Sequence, residues 1–136
     1  PEVFARCKLD FSEREENREL YSLHIDLMKL RREDSRFRQQ VFDAIDGAVL
    51  GPGSFVLRYF SKDDDDRLLL VNFGERQVLE PASEPLLAPP LGCTWETLWT
   101  SESSRYGGAG SPITATSERW ILPGEATVAL RPVLEK

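Results

Sequence analysis

Histidine, methionine and cysteine are nearly missing from this chain, which has one His, one Met and two Cys among 136 residues. Cys7 and Cys93 are too few for a disulfide framework and lack metal-ligand spacing. Reduced thiols in a cytosolic protein, hence a cytoplasmic one, are therefore expected. His24 stands alone, with no companion at metal or triad spacing, so a partly buried structural role is expected for it. Basic residues are also scarce: 17 Lys and Arg face 23 Asp and Glu, a net charge of −6. The one basic cluster, Arg31-Arg32 with Lys29, is neutralised at once by Glu33-Asp34. Phosphate binding needs concentrated Lys and Arg, so nucleic acid is excluded as a partner. No apolar run approaches the roughly 20 residues that span a bilayer, and no leader peptide is expected, which leaves no membrane partner. The chain opens on Pro1 instead of Met, as expected if Met was removed or if the chain was cut from something longer.

What is present has two characters. Up to about residue 37 the sequence is helical in pattern. Residues 1 to 11 are irregular and polar, and Ser12-Glu13-Arg14-Glu15 matches a capping box, with Phe11 placed to staple onto the first turns. Leu20, Leu23, His24, Leu27 and Leu30 recur at helical spacing, widened by Tyr21, Ile25 and Met28. One long amphipathic helix from Glu13 to Glu33, roughly 30 Å at 1.5 Å per residue, is predicted. Early glutamates and late Lys29, Arg31 and Arg32 suit its macrodipole. Its apolar face is too broad to stand in water and must pack on the rest of the chain or on something beyond it.

From residue 38 onward the pattern is of short strands and turns, with most of the nine glycines and nine prolines after residue 50. Arg67-Leu68-Leu69-Leu70-Val71-Asn72-Phe73-Gly74 is the most apolar stretch and suits a central strand covered on both faces. Asp43 to Leu50 reads as a strand pair around Asp46-Gly47, and Ser54 to Phe60 as the next strand. Asp63 to Asp66 read as a solvated hairpin tip, since they lack the Asx/Gly alternation and distal Glu of a calcium loop. Gln77 to Glu80 follows. Pro81 to Pro90 is an extended loop, and Cys93 to Thr100 a strand with Trp95 and Trp99 on one face. Arg119 to Leu122 and Glu125 to Leu130 close the chain. A mainly β fold of seven or eight strands, an antiparallel sandwich or partly closed barrel, is predicted.

Candidate chemistry is thin. Gly107-Gly108-Ala109-Gly110 neither follows a strand nor opens a helix, so it is no phosphate cradle. Trp95, Trp99, Tyr106 and Trp120 are aromatic enough to stack sugar rings, although aromatics on an inner strand face more often form core. Under a sugar-binding reading, Trp99, Arg105 and Tyr106 are the expected contacts. No pair of carboxylates is placed for glycoside chemistry and no nucleophile–base pair is visible. No catalytic residue, metal site or cofactor is expected.

Lys8-Leu9-Asp10-Phe11-Ser12-Glu13-Arg14-Glu15, Leu23-His24 and Leu30-Arg31-Arg32-Glu33-Asp34 resemble the end of the catalytic domain of the maltooligosyltrehalose trehalohydrolases, members of the α-amylase superfamily. The likeness continues through Asp46-Gly47-Ala48-Val49-Leu50-Gly51-Pro52, Arg67 to Gly74 and Glu84 to Pro90. It ends with Trp99-Thr100-Ser101-Glu102, Arg105-Tyr106-Gly107-Gly108 and Trp120-Ile121-Leu122-Pro123-Gly124. The resemblance implies that residues 1–37 carry the last helix of a (β/α)8 barrel with its leading loop. Residues 38–136 would then be the C-terminal all-β domain of amylase type. The superfamily's catalytic carboxylates belong to earlier barrel strands, so none carries over. Phe11 stands where the family pattern has Trp. Three functions stay open: a structural partner of the parent's catalytic barrel, a module binding α-glucan oligosaccharide, or an interaction domain dimerising through its helix.

Overall fold

A computed structural model describes residues 7–8, 10–39, 44–116 and 118–135. Within the leading segment, residues 1–6 and Leu9 lie outside the described residues, as does Asp43 of the expected strand pair.

The predicted single helix is broken. It runs as α1 (Glu13–Glu16), α2 (Arg18–Glu33) and a further turn α3 (Ser35–Arg38). The break is at Asn17, whose backbone leaves helical geometry (φ −107°, ψ 38°). Its side-chain amide donates to the Glu13 carbonyl, competing with the helical ladder. The capping box does not form either, because Ser12 is itself helical and makes no side-chain cap. Asp10 takes that place: its Oδ1 accepts the Ser12 N–H at 2.9 Å and the Ser12 hydroxyl at 2.7 Å. These bonds hold the Asp10 carboxyl below the usual carboxylate range. Phe11 does not staple. It is exposed, with the Arg14 guanidinium 4.8 Å above its ring. His24 is exposed as well, its Nδ1 2.8 Å from the Leu20 carbonyl, and is not the partly buried residue expected.

The remainder is a two-layer antiparallel sandwich. Its strands are β1 (Ile45–Gly51), β2 (Ser54–Tyr59), β3 (Arg67–Asn72), β4 (Gln77–Leu79), β5 (Cys93–Thr100), β6 (Thr114–Ala115), β7 (Trp120–Leu122) and β8 (Ala126–Leu134). One sheet has the order β1-β2-β3-β8-β5 and the other β4-β7-β6. β3 is the middle strand of five, as its apolar run predicts. Leu68 and Leu70 point inward to meet Val56, Val128, Leu130, Trp120 and Leu122. Leu87, carried on a 3-10 turn (Pro85–Leu87) in the long loop, plugs the same core.

Asp46-Gly47 is not a turn. It lies inside β1, where Gly47 pairs with Leu57 and Asp46 with Arg58. The Leu57 side chain lies across Gly47, so closely that a Cβ there would sit 2.7 Å from Leu57 Cδ2. The Asn72-Phe73-Gly74 ending of β3 is a polar stitch between turns. Buried Asn72 donates at 2.8 Å to the carbonyls of both Glu75 and Pro123, and its Oδ1 accepts the Gly74 N–H.

Trp95 and Trp99 do not share a face. Thr97 pairs with Leu130 and Trp99 with Ala129, so β5 carries a bulge at Leu98 that shifts the register. Trp95 packs against the sandwich core, whereas Trp99 turns out toward α2.

Candidate functional site at the helix–sheet junction

The outer face of the five-stranded sheet is where α2 lies. Leu69 of β3, Tyr59 of β2, Ile45 of β1 and Trp99 of β5 face Leu27 and Leu30 of α2 and Phe37 of α3. With Arg31, Gln39 and Thr127 they line an open, mostly apolar groove of about 830 Å³. Phe37 and Tyr59 meet edge to face, ring centroids 5.0 Å apart. Two polar clamps hold the helix over this space.

The first clamp is built from the acidic run. Asp66 is buried: its Oδ2 accepts from both Nε (2.9 Å) and Nη2 (2.8 Å) of Arg58, and its Oδ1 from the Ser61 N–H. Arg58, also buried, lies between the rings of Phe60 and Trp95. Asp65 binds Arg67, and Asp63 binds Arg36 of α3 at 2.6 Å. Arg67 in turn donates from Nε to Asp34 at 2.8 Å, both side chains about 10 % exposed. Asp34 also caps α3, accepting the N–H groups of Arg36 and Phe37. The run is the tip of the β2–β3 hairpin, as expected, and Asp63 and Asp64 are exposed, but only part of it is solvated: Asp66 is buried against Arg58 of β2, and Asp63 and Asp65 reach Arg36 of α3, which joins helix to sheet. Burial opposes the charge on Arg67, but the bonds to Asp65 and Asp34 outweigh it and raise its pKa. The Ser61 hydroxyl, with the Asp63 N–H and Arg36, holds the Asp63 carboxyl below its usual range.

The second clamp uses the three residues expected to contact sugar. The structure brings them together, Trp99 from the end of β5 and Arg105 and Tyr106 from the loop that follows it. The Tyr106 hydroxyl donates to Asp26 Oδ2 of α2 at 2.6 Å and accepts from Trp99 Nε1 at 3.2 Å. Arg105 reaches the same Asp26 oxygen at 3.0 Å. Burial first, then the bond to Asp26, raises the Tyr106 pKa. Gly107 and Gly108 let the loop come this close. Gly107 is left-handed (φ 79°), and a Cβ there would sit 2.7 Å from Glu19 Oε2. A Cβ on Gly108 would strike the Glu102 backbone. Of the wider aromatic set, Trp120 is buried in the core and Trp95 faces it from β5.

The bonding partners Asp26, Asp34, Arg36 and Arg67 escape a reading by local pattern, since each finds its partner far along the chain. Asp34 alone leaves a local trace, as a helix-capping residue directly before Ser35-Arg36-Phe37. Among the described residues no group of three His, Cys, Asp or Glu side chains is placed to hold a metal ion. Among the described residues no helix is long and apolar enough to cross a membrane.

The chain belongs to the family described as a domain of unknown function, DUF3459, which it matches over residues 43–129. That domain is the C-terminal domain of α-amylase-family glycoside hydrolases, and it is a non-catalytic part of them. Comparison with curated proteins and with solved structures finds no match.

Proposed function

We propose that this chain is the C-terminal portion of an α-glucan-acting enzyme resembling the maltooligosyltrehalose trehalohydrolases, which release trehalose from maltooligosyltrehalose. Its role is to stabilise the catalytic barrel. In this reading residues 1–37 supply the barrel's last helix, residues 38–136 the β-domain that holds it, and the parent enzyme is cytoplasmic. The observation that carries the reading is the two-sided apolar character of α2. Leu27 and Leu30 face the sheet, while Met28 stays 72 % exposed and Leu20 55 %, with Ile25 and Tyr21 also uncovered. A helix bearing this much open apolar surface fits a second packing partner, and the last helix of a barrel has one. The two clamps serve the same end, since they tie the helix, and whatever it packs on, to the sandwich. Adding this chain to a barrel-only version of the parent enzyme is expected to restore its solubility or activity. No effect in either assay refutes the proposal.

A second reading, an α-glucan-binding surface at Trp99, Arg105 and Tyr106, is favoured by one observation. The Arg105 guanidinium beside the ring pair is 64 % exposed and so open to a ligand. A saturable change in tryptophan fluorescence on titration with maltooligosaccharide supports it, and its absence at millimolar sugar retires it.

A further inference from the structure

The five-stranded sheet ends on one side at β1 and on the other at β5. The two edges are finished differently. β5 carries Glu96 and the bulge at Leu98, and an edge charge and a bulge both discourage a further strand from pairing. β1 runs from Ile45 to Gly51 with one charged side chain, Asp46, and its own shift in register comes only after Val49. Val49 is 81 % exposed, and Asp46 and Gly47 are exposed too, so this edge lies open to water.

The ladder fixes which backbone groups point outward. The Phe60 N–H donates to the Ala44 carbonyl at 2.8 Å, and bonded pairs alternate along an antiparallel ladder. Asp46–Arg58 and Ala48–Val56 are then bonded pairs, while Ile45, Gly47 and Val49 turn their N–H and C=O groups away from β2. Gly47 agrees with this, since its N–H donates to Oδ1 of its own neighbour Asp46 at 2.8 Å. The side chains at 45 and 49 lie on the outer face of the sheet, opposite Ala48 and Leu50, which pack on the core. There Val49 pairs with Phe55, whose ring lies 6.3 Å from that of exposed Phe73.

An edge of this kind takes up another strand through main-chain hydrogen bonds, and β1 is complementary to itself. Antiparallel pairing about Gly47 sets Gly47 against Gly47 of the second copy, Ile45 against its Val49, and Asp46 against its Ala48. No carboxylate then faces a carboxylate. Positions 45, 47 and 49, whose polar groups point outward, become the pairs that exchange both hydrogen bonds. Ile45 and Val49 cover one another across the junction, and the apolar row Phe73-Phe55-Val49 of one copy runs on into Ile45-Tyr59 of the other.

We propose that β1 is a self-association edge: two copies of this chain pair β1 to β1 about a twofold axis at Gly47, and Asp46 guards the edge by holding the Gly47 N–H in the free chain. Twofold pairing uses up the edge, so association stops at the dimer. One short strand buries less than the roughly 1,200–2,000 Å² of a stable interface, so the dimer is weak, with a Kd on the order of 0.1 mM. The open face of α2 takes no part in it, and neither does the reading of the parent enzyme.

Sedimentation equilibrium of the whole chain, from micromolar to millimolar concentration, is expected to show the mass rising from 15.4 kDa toward twice that value and no further. Asp46→Ala frees the Gly47 N–H and removes the charge beside the axis, and should tighten Kd about tenfold. Val49→Lys puts a charge on the edge and should hold the chain at monomer mass, with an unchanged circular dichroism spectrum because the position is so exposed. Met28→Lys, on the helix face, should leave the association as it is. In the unaltered chain the amide NMR signals of Ile45, Gly47 and Val49 should shift with concentration in step with the mass. A constant monomer mass up to millimolar concentration overturns the proposal, and so does growth past the dimer. Association that Met28→Lys abolishes and Val49→Lys does not overturns it as well. These readings are made on the chain by itself, so they stand or fall apart from the barrel-rescue assay.

Discussion

Asp34→Ala tests the first clamp most directly, because Asp34 does two jobs. It caps α3 through the N–H groups of Arg36 (2.9 Å) and Phe37 (3.3 Å), and it pairs with Arg67 at 2.8 Å. Losing a cap costs about 1 kcal/mol. Removing one partner of a buried ion pair costs about 3–5 kcal/mol when the other charge is left alone. Arg67 is not left alone, since it keeps Asp65 and the carbonyls of Asp65 and Asp66. The cost of the lost pair therefore falls below that range, at about 1–3 kcal/mol, for a total of roughly 2–4 kcal/mol with the cap. Asp34→Asn retains an oxygen for the cap and loses only the charge, so it should cost about 1 kcal/mol less than the alanine variant. Urea unfolding of the three proteins measures this, with the alanine midpoint lowered by about 1–2 M at the slopes usual for a small domain. If both variants lie within about 0.5 kcal/mol of the parent, or if the asparagine variant is the weaker, the clamp does not hold the helix as argued.

The second clamp predicts a pH dependence. The Tyr106 pKa is raised in the folded chain by burial and by Asp26, so its contribution is complete below the ordinary phenol value of about 10 and is lost as pH rises through the folded value. Tyr106→Phe should flatten that part of a plot of Tm against pH, and an unchanged alkaline limb counts against the clamp. Gly108→Ala drives a methyl group into the Glu102 backbone, and overpacking of this kind costs roughly 1–3 kcal/mol, which thermal unfolding would report. An unaltered Tm means the loop has another way to dock. Leu70→Ala in the buried centre of β3 should cost about 2–5 kcal/mol. Met28→Ala on the exposed helix face should stay within about 0.5 kcal/mol for this chain by itself. Comparable losses from these two substitutions in denaturant melts would show that the helix face is covered already.

What the sequence by itself determined is whatever depends on neighbours close along the chain. The apolar run Leu68 to Val71 marks the middle strand of the larger sheet, since four apolar residues in succession need cover on both faces. The heptad-like spacing of Leu20, Leu23, Leu27 and Leu30 marks α2, and the turn residues divide the rest into short strands that form a sandwich. The α-amylase-family character is legible too, since the stretches from Asp46 to Gly124 that suggested it fall within the matched residues 43–129.

Partners distant in sequence were decided only by the tertiary structure. Asp26 meets Tyr106 across 80 positions, and Asp34 meets Arg67 across 33. No local pattern encodes either pair, nor the contacts by which two aspartates of the hairpin tip, Asp63 and Asp65, hold Arg36 of α3. The bulge in β5 sends Trp95 to the core and Trp99 to the helix, because alternation along a strand holds only while the register with β8 is unbroken. Asp46-Gly47 has the residues of a turn, yet it is drawn into β1 by pairing with β2 and by Leu57 lying across the glycine. Local chemistry chose the elements; packing between distant segments chose which side chains meet.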